Sequence, residues 1–410
     1  MQINASIITI GDELLIGQTV DTNSACLGVE LNKLGVWVRQ RVAVGDVAAH
    51  ITNALQDALQ ISDIVIITGG LGPTADDITK PLLCDFFGGT LIQNAAVEAH
   101  VRAFFEKRKR PIIDVNIKQA SVPDCCEVLW NQYGTAPGML FRRDNKLVFS
   151  LPGVPLEMKD IMTTSGFDAI AKNFTLPRVS HRTICTAGKG ESFIAIALRD
   201  FEASLPAHIK LAYLPALGQV KLRLTSLDGS EEELNSFTAA LQKQVAHICY
   251  ATTDISLQEA ILQQLLARQQ TLAFAESCTG GYLSHLFTNI SGASAAINGS
   301  AVVYTNEAKS KVLGIDANAI NTHGAVSEHI ATLMAQQTRA VYSSNFSLST
   351  TGYLESTYTQ EAQIWICASD GTNHKTVHHT LPYYRERNKE LAANYALLLL
   401  WRLIQEAAQS

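Results

Sequence analysis

The stretch Asp63-Ile64-Val65-Ile66-Ile67-Thr68-Gly69-Gly70-Leu71-Gly72-Pro73 decides how the first third of this 410-residue chain folds. Its first half is an unbroken apolar, β-branched run with no polar residue at alternate positions. A strand that reads this way is buried on both faces, as in a parallel sheet covered by helices on either side. The pattern outward agrees. Residues 6–10 form a similar run ending at Gly11-Asp12, and Leu27, Leu31 and Leu34 then recur at helical spacing before a stop at Gly35. Another strand starts at 36–38. Val47, Ile51, Leu55 and Leu59 mark one helix face, and Val97, Val101, Phe104 and Phe105 mark the next. The unit closes with a strand at 146–151 running into Pro152-Gly153-Val154-Pro155. This βαβα order predicts an α/β, mostly parallel, doubly wound sheet over residues 1–168.

Residues 175–252 read differently. Strands at 181–187 and 220–226 and a helix at 231–247 predict a small α+β module, a spacer or dimerisation element by its composition. From 256 to 410 a second α/β domain begins. A helix carrying Ile261, Leu262, Leu265 and Leu266 precedes a strand at 271–275. Further strands are expected at 300–304, 346–350 and 363–368, and a long helix at about 388–409.

Composition bounds the function. The chain is 47% hydrophobic and 17% charged, enough apolar content for real cores at roughly 150 residues per domain. No apolar run reaches the ~18 residues of a membrane span; the longest, at 395–404, holds Arg402. Met1-Gln2-Ile3-Asn4 has no basic or apolar leader, so a cytoplasmic protein is expected. The net charge is −6, from 32 basic and 38 acidic residues, which argues against broad nucleic-acid or membrane-surface binding. The one basic run, Lys107-Arg108-Lys109-Arg110, suits the end of a helix. The eight cysteines contain no CxxC and no zinc-ligand spacing, and reduced thiols are expected.

Two loops at strand ends carry chemistry. The first holds Gly11, Asp12 and Glu13, with Asp21-Thr22-Asn23 beyond it; the second holds Gly69, Gly70, Gly72, Thr74, Asp76 and Asp77. Glycines let backbone N–H groups approach an anion at the carboxyl ends of parallel strands. The acids would repel a bare phosphate but suit a divalent cation bridging to one. The same residues also fit simple turns and helix caps. A second constellation follows the strand at 271–275. Ser277 sits before Thr279-Gly280-Gly281 and a helix, where backbone N–H groups and a helix dipole favour an oxyanion. Tyr304 and Lys309 lie at a later strand-to-helix junction; a lysine whose pKa is lowered by burial can take a serine proton. From these residues alone, Ser277 as an N-cap and Lys309 as an exposed charge is the favoured reading.

Further motifs accompany these loops: Asn116 with Lys118-Gln119-Ala120; Asn131 with Gly134-Thr135-Ala136-Pro137-Gly138; and Leu151-Pro152-Gly153-Val154-Pro155 with Glu157-Met158. In that order they resemble the molybdopterin-binding-like domain of the CinA (competence/damage-inducible) family. The resemblance implies metal-dependent hydrolysis of the ADP-ribose pyrophosphate. It places nucleotide-binding roles on Gly11, Asp12, Glu13, Asn23, Gly69, Gly70, Gly72, Thr74, Lys118, Thr135, Gly138, Pro152 and Gly153, and a divalent metal near Asp12, Asp76 or Asp77. Lys80, Lys118 and Arg142 are candidates for the diphosphate. Gly188-Lys189-Gly190-Glu191-Ser192 is similar to a turn of the family's KH-like module, without a basic GxxG loop for RNA.

Ala275-Glu276-Ser277-Cys278-Thr279-Gly280-Gly281, residues 304–309 and His323-Gly324-Ala325-Val326-Ser327-Glu328 resemble the CinA C-terminal domain. That resemblance implies deamidation of nicotinamide mononucleotide, with Ser277 as nucleophile and Tyr304 and Lys309 as its partners. One segment departs from the pattern. Where the family has Thr-Gly-Ile-Ala-Gly-Pro, this chain has Thr351-Gly352-Tyr353-Leu354-Glu355-Ser356-Thr357, and Glu355 adds a negative charge. The motif Tyr384-Arg385-Glu386-Arg387-Asn388-Lys389 is also loose. Three functions follow as alternatives: a hydrolase with both sites, a pyrophosphatase with a non-catalytic C-terminal domain, and a nucleotide or pterin sensor. The expected ligands are small nucleotides, and the expected assembly is a homodimer.

Overall fold

In the computed structural model the described residues are all except Met1, Pro73, Ala75, Asp76, Arg178, Asp228, Gln409 and Ser410. The chain divides into two compact units, one from residues 1–180 with 227–229 and the other from 181–226 with 230–410.

The first unit holds strands β1 (Asn4–Ile10), β2 (Trp37–Val44), β3 (Ile64–Thr68), β4 (Leu91–Gln93), β5 (Ser121–Pro123), β6 (Glu127–Leu129), β7 (Gly138–Arg143) and β8 (Lys146–Leu151). Its main sheet has the order β2-β1-β3-β8-β7-β6, and β4 pairs with β5 apart from it. All five residues of β3 are buried. Alternation along the strand explains why. Ile64 and Ile66 join one core with Leu27, Leu31, Met158 and Ile161. Val65 and Ile67 join the other with Ile51, Leu55 and Leu83. Helices Thr22–Lys33 and Pro155–Ile161 therefore cover one face, and Ala48–Ile61 and Thr79–Phe86 the other.

The sheet is mostly parallel, as the βαβα pattern predicts, with an antiparallel edge. β1, β2, β3 and β8 run parallel, but β7 is antiparallel to β8 and β6 to β7. The cause is local. Asp144 and Asn145 join β7 to β8 with φ of 50° and 61°. Two consecutive left-handed residues form the tight hairpin turn whose twist matches an antiparallel pair.

The second unit opens with the α+β module. Its strands β9 (Ser180–Ala187), β10 (Ile209–Ala216), β11 (Gln219–Ser226) and β12 (Cys249–Ala251) form a sheet in the order β10-β11-β9-β12. β10 escapes the sequence pattern; it pairs antiparallel to β11 through a two-residue loop ending at Gly218, φ 70°. The remaining sheet contains β13 (Leu272–Glu276), β14 (Ile297–Val302), β15 (Phe346–Tyr353), β16 (Gln363–Ser369) and β17 (His374–Thr380), in the order β14-β13-β15-β16-β17. β13 is parallel to β14 and β15, and β16 and β17 continue antiparallel. The last helix, Arg385–Ala407, buries Ala396, Leu397, Leu400, Leu403 and Ile404 in the main core of this unit. This is the apolar run at 395–404. No helix among the described residues is long and apolar enough to cross a membrane. All eight cysteines are free thiols.

Burial sets the cost of truncation. Ile66 is fully buried and Ile16 is 74% exposed. Ile66→Ala should lower stability by about 2–5 kcal/mol through lost contacts and a cavity, while Ile16→Ala should stay within about 0.5 kcal/mol. Urea midpoints of the two variants against the parent chain check the contrast.

Candidate functional site

In both α/β sheets the first strand is followed by a neighbour on one side, and a later strand then adds on its other side. Each sheet therefore has a switch point at the carboxyl ends of two adjacent parallel strands, where the crossovers diverge and leave a crevice. The two candidate sites lie at these two points.

In the second unit β13 ends at Glu276, and Ser277 follows at once. Its N–H donates to Thr350 O on β15 at 2.9 Å, which fixes its backbone. Gly280 and Gly281 have φ of 63° and 94°, a left-handed pair that turns the strand into the helix Tyr282–Thr288. The buried Glu276 side chain locks this turn. Its carboxylate accepts from the N–H groups of Gly281, Leu283 and Ser284 at 3.0, 3.0 and 2.9 Å, and from Ser284 Oγ at 2.6 Å. The helix end expected to assist an oxyanion at Ser277 is thus already engaged by a carboxylate. This corrects the sequence expectation, and the role of Glu276 was not visible in the pattern.

Lys309 reaches Ser277 from the next crossover. Thr305 caps the helix Asn306–Leu313, its side chain accepting from Ala308 N–H at 3.1 Å, and this sets Lys309 on the inward face one turn later. Lys309 is 2% exposed. Its Nζ donates to Ser277 Oγ at 3.1 Å and to Val303 O at 3.1 Å. Burial pushes its pKa below the ordinary lysine value, with Cys278 acting in the opposite direction. Burial also drives the neighbouring Cys278 thiol up to about 12, so it stays protonated at neutral pH. Thr279 and Thr350 share a hydroxyl hydrogen bond at 2.8 Å behind the turn.

Tyr304 is not drawn into this pair. Its ring is 56% exposed, and its hydroxyl accepts from Arg385 at 2.7 Å. The loose motif before the last helix thus contributes Arg385 to the same strand end. Asn388, fully buried, donates to Leu354 O at 2.9 Å and accepts from Tyr383 N–H at 2.9 Å. It thereby ties the unusual 353–357 segment to the last helix. Leu354 is buried and Glu355 exposed. The added carboxylate points to water, where screening weakens its effect on neighbouring charge. In the 323–328 motif, Ser327 caps the helix Glu328–Tyr342.

In the first unit a cavity of about 430 Å³ opens at the carboxyl ends of β1, β3 and β8. Of the expected residues, Gly11, Glu13, Gly69, Gly70, Gly72, Asp77, Thr135, Pro152 and Gly153 line it. Gly69 has φ 110°, and a Cβ there would meet Ile10 O at 2.4 Å, so no other residue fits. Several backbone donors are already committed. Gly11 N–H goes to Val44 O at 3.0 Å, Gly69 N–H to Leu151 O at 3.0 Å, and Gly72 N–H to Asp77 at 2.7 Å.

The other expected residues have supporting positions. Asn23 donates to Gly153 O at 2.7 Å and holds that loop. Thr74 donates through its N–H to Asp77 at 2.9 Å. Asp12 N–H donates to the Asp46 carboxylate at 3.0 Å, and Asp46, not Asp12, lines the cavity. Gly138 opens β7, where a Cβ would meet Ile161 at 2.9 Å, a packing requirement. Lys118 begins a short 3-10 turn outside the cavity lining. Arg142 pairs across the sheet with Leu147 at the opposite strand end and bonds to Asn173 at 3.2 Å, so it does not serve this crevice. Asp76 lies outside the described residues.

Of three further lining side chains, Asp46 escaped the sequence reading, while Gln119 and Glu157 stood in the quoted motifs without an assigned role. Glu157 accepts from Asn131 Nδ2 at 2.7 Å, and burial raises its pKa. Lys80 donates to Gln119 O at 3.1 Å, and burial lowers its pKa to about 8, with Cys126 and Asp77 acting in the opposite direction. The ionisable groups lining the crevice are all carboxylates: Glu13, Asp46, Asp77 and Glu157. Such oxygen donors suit a hard cation, yet among the described residues no three acidic, histidine or cysteine side chains group closely enough to hold one.

Three family descriptions match the chain. The probable molybdopterin binding domain matches residues 6–172, the damage-inducible protein CinA KH domain 181–251, and the CinA C-terminal domain 254–404. A CinA-like protein of Cytophaga hutchinsonii is 42% identical over 98% of this chain and 99% of its own length. A putative competence-damage inducible protein of Caldicellulosiruptor bescii is 36% identical over 85% of each chain. A crystal structure of CinA, of unknown function, from Thermoplasma acidophilum is 36% identical and covers 41% of this chain and 98% of its own, with a TM-score of 0.38. The chain belongs to the CinA family.

Proposed function

We propose that the chain is a hydrolase of pyridine nucleotides with two sites, a nicotinamide mononucleotide deamidase at Ser277 and a metal-dependent ADP-ribose pyrophosphatase at the N-terminal crevice. The observation that carries the first activity is the buried Lys309 Nζ at 3.1 Å from Ser277 Oγ. A lysine whose pKa is lowered by burial is a general base without needing a histidine. Neutral Lys309 takes the Ser277 proton as Oγ attacks the carboxamide carbon. The N–H groups of Cys278 and Thr279, in the turn beside the nucleophile, are the donors for the oxyanion. The lysine ammonium returns its proton to the leaving nitrogen, and ammonia departs from an acyl-serine. Water, deprotonated by Lys309, attacks the acyl carbon, and the carboxylate product leaves with Ser277 restored. Tyr304 and Arg385 together frame the strand end as a substrate-positioning pair.

The second activity rests on the cavity and its carboxylates. The described carboxylates do not by themselves group closely enough for a metal, so a divalent ion here would enter with the diphosphate, and Asp77 is the lining acid that would meet it. Bound there, the ion would supply charge stabilisation and an activated water. The chain's own part is to shape the glycine floor, where among the described residues the N–H groups of Gly70 and Gly153 carry no hydrogen bond. The raised pKa of Glu157 fits it to hold or accept a proton there.

Ammonia release from nicotinamide mononucleotide should vanish in Ser277→Ala and fall by about 10²- to 10⁴-fold in Lys309→Met. Unchanged release in either variant removes the Ser–Lys reading, and no release from the parent chain leaves the second domain non-catalytic. The base must be neutral, so kcat should rise with pH through the pKa of Lys309. Because that pKa is lowered, the rise should fall below the ordinary lysine value of 10.5. A chelator should abolish ADP-ribose cleavage, and so should Asp76→Ala and Asp77→Ala together. Cleavage that survives both treatments rules out a metal held at this wall. Binding of both nucleotides without turnover would make the protein a sensor.

A further inference from the structure

Gln119 lines the N-terminal crevice, is 3% exposed, and among the described residues its Oε1 has no hydrogen-bond partner. Its backbone is not free to relieve this. Residues 118–120 form a 3-10 turn, and the Gln119 carbonyl accepts from Lys80 Nζ at 3.1 Å. A buried acceptor left without a donor costs free energy that an apolar side chain of similar size would not. Such a group is expected where a ligand completes it. Its surroundings say what the ligand must bring. Glu13, Asp46, Asp77 and Glu157 share the cavity, and as carboxylates they accept and do not donate. Thr135 contributes the one hydroxyl among the described lining side chains. An anionic phosphate is repelled from this wall unless a cation intervenes. A neutral N–H or O–H donor is attracted to it.

We propose that Gln119 is the specificity-determining residue of the N-terminal crevice, its Oε1 accepting a hydrogen bond from a neutral donor on the nucleoside part of the ligand. This rests on the nucleotide-binding reading of that crevice and deepens it. Two groups of ADP-ribose are the candidate donors, the exocyclic amino group of the base and the 2′-hydroxyl of the adenosine ribose. The diphosphate then extends away from Gln119 toward the glycine loops at the ends of β3 and β8.

The test compares binding of ADP-ribose, its hypoxanthine analogue and its 2′-deoxyadenosine analogue to the full chain by calorimetry, with cleavage followed separately. Gln119→Leu should weaken ADP-ribose binding by about 10- to 100-fold. It should also abolish the discrimination that the parent chain shows against one of the two analogues, and the analogue discriminated identifies the donor. Gln119→Glu keeps an acceptor and should restore most of the affinity. The unliganded Gln119→Leu chain should melt at the same temperature or higher, because an unsatisfied buried group has been removed; a merely structural glutamine would give a lower melting temperature. Wild-type affinity in Gln119→Leu, or unchanged discrimination, overturns the proposal while leaving any ADP-ribose cleavage intact. The predicted loss of affinity in a chain that never cleaves ADP-ribose upholds the proposal and overturns the pyrophosphatase. No binding of any of the three ligands by the parent chain overturns both.

Discussion

Burial of the central strands on both faces is the constraint from which the rest of this structure follows. β3 has no exposed side chain, and β13 has none either. Such strands have no solvent face on which a reactive group could sit. Polar residues within them must find partners or move to the strand ends, because an unpaired polar atom in an apolar layer costs several times what a hydrogen bond contributes. The chemistry is accordingly displaced to the carboxyl edges, where crossovers diverge. Both candidate sites occupy the same topological position in two separately built sheets.

The two edges are electrostatic opposites. At Ser277 the unusual group is a cation, Lys309, taken out of water and left with two neutral acceptors. Among the described residues no carboxylate pairs with it, and Glu276, the residue before Ser277, spends its oxygens on the helix end and on Ser284. Desolvation without a counter-ion is what lowers an amine's pKa. At the N-terminal crevice the arrangement is reversed. Carboxylates and the Gln119 side chain line the cavity, while Lys80 bonds to the Gln119 backbone carbonyl. One site is prepared for proton transfer to nitrogen, the other for a donor or a cation.

Much of this was legible in the sequence, and the limits have physical causes. The runs at 63–68 and 271–275 gave the two central strands because two-sided burial leaves an uninterrupted apolar signature. The antiparallel additions were not legible. β10 lacks a clear alternation and β17 is largely polar, and the turn at Asp144-Asn145, residue types that tolerate left-handed angles, sits between two short apolar runs of which the sequence reading takes only 146–151 as a strand. At the sites, proximity in sequence carried Ser277 and the glycine loops. Lys309 was placed by motif spacing, and its burial came only from the fold. Gln119 and Asp46 belong to turns far from the glycine loops in the chain, so only the fold brings them to the crevice, although Gln119 stood in a quoted motif. Tyr304 was placed correctly at a strand end, but Arg385, 81 residues away, captures its hydroxyl.

The Glu276–Ser277 pair carries one further implication, about length rather than composition. Successive residues of a strand point to opposite faces. Glu276 meets the helix end and Ser277 meets Lys309 only because they are neighbours with opposite orientation. Inserting or deleting one residue within β13 would exchange the two directions, aiming a carboxylate at the lysine and a hydroxyl at three backbone donors. The lysine would then gain a counter-ion and hold its proton. The strand is therefore as constrained in its number of residues as in the identity of Glu276 and Ser277 at its end.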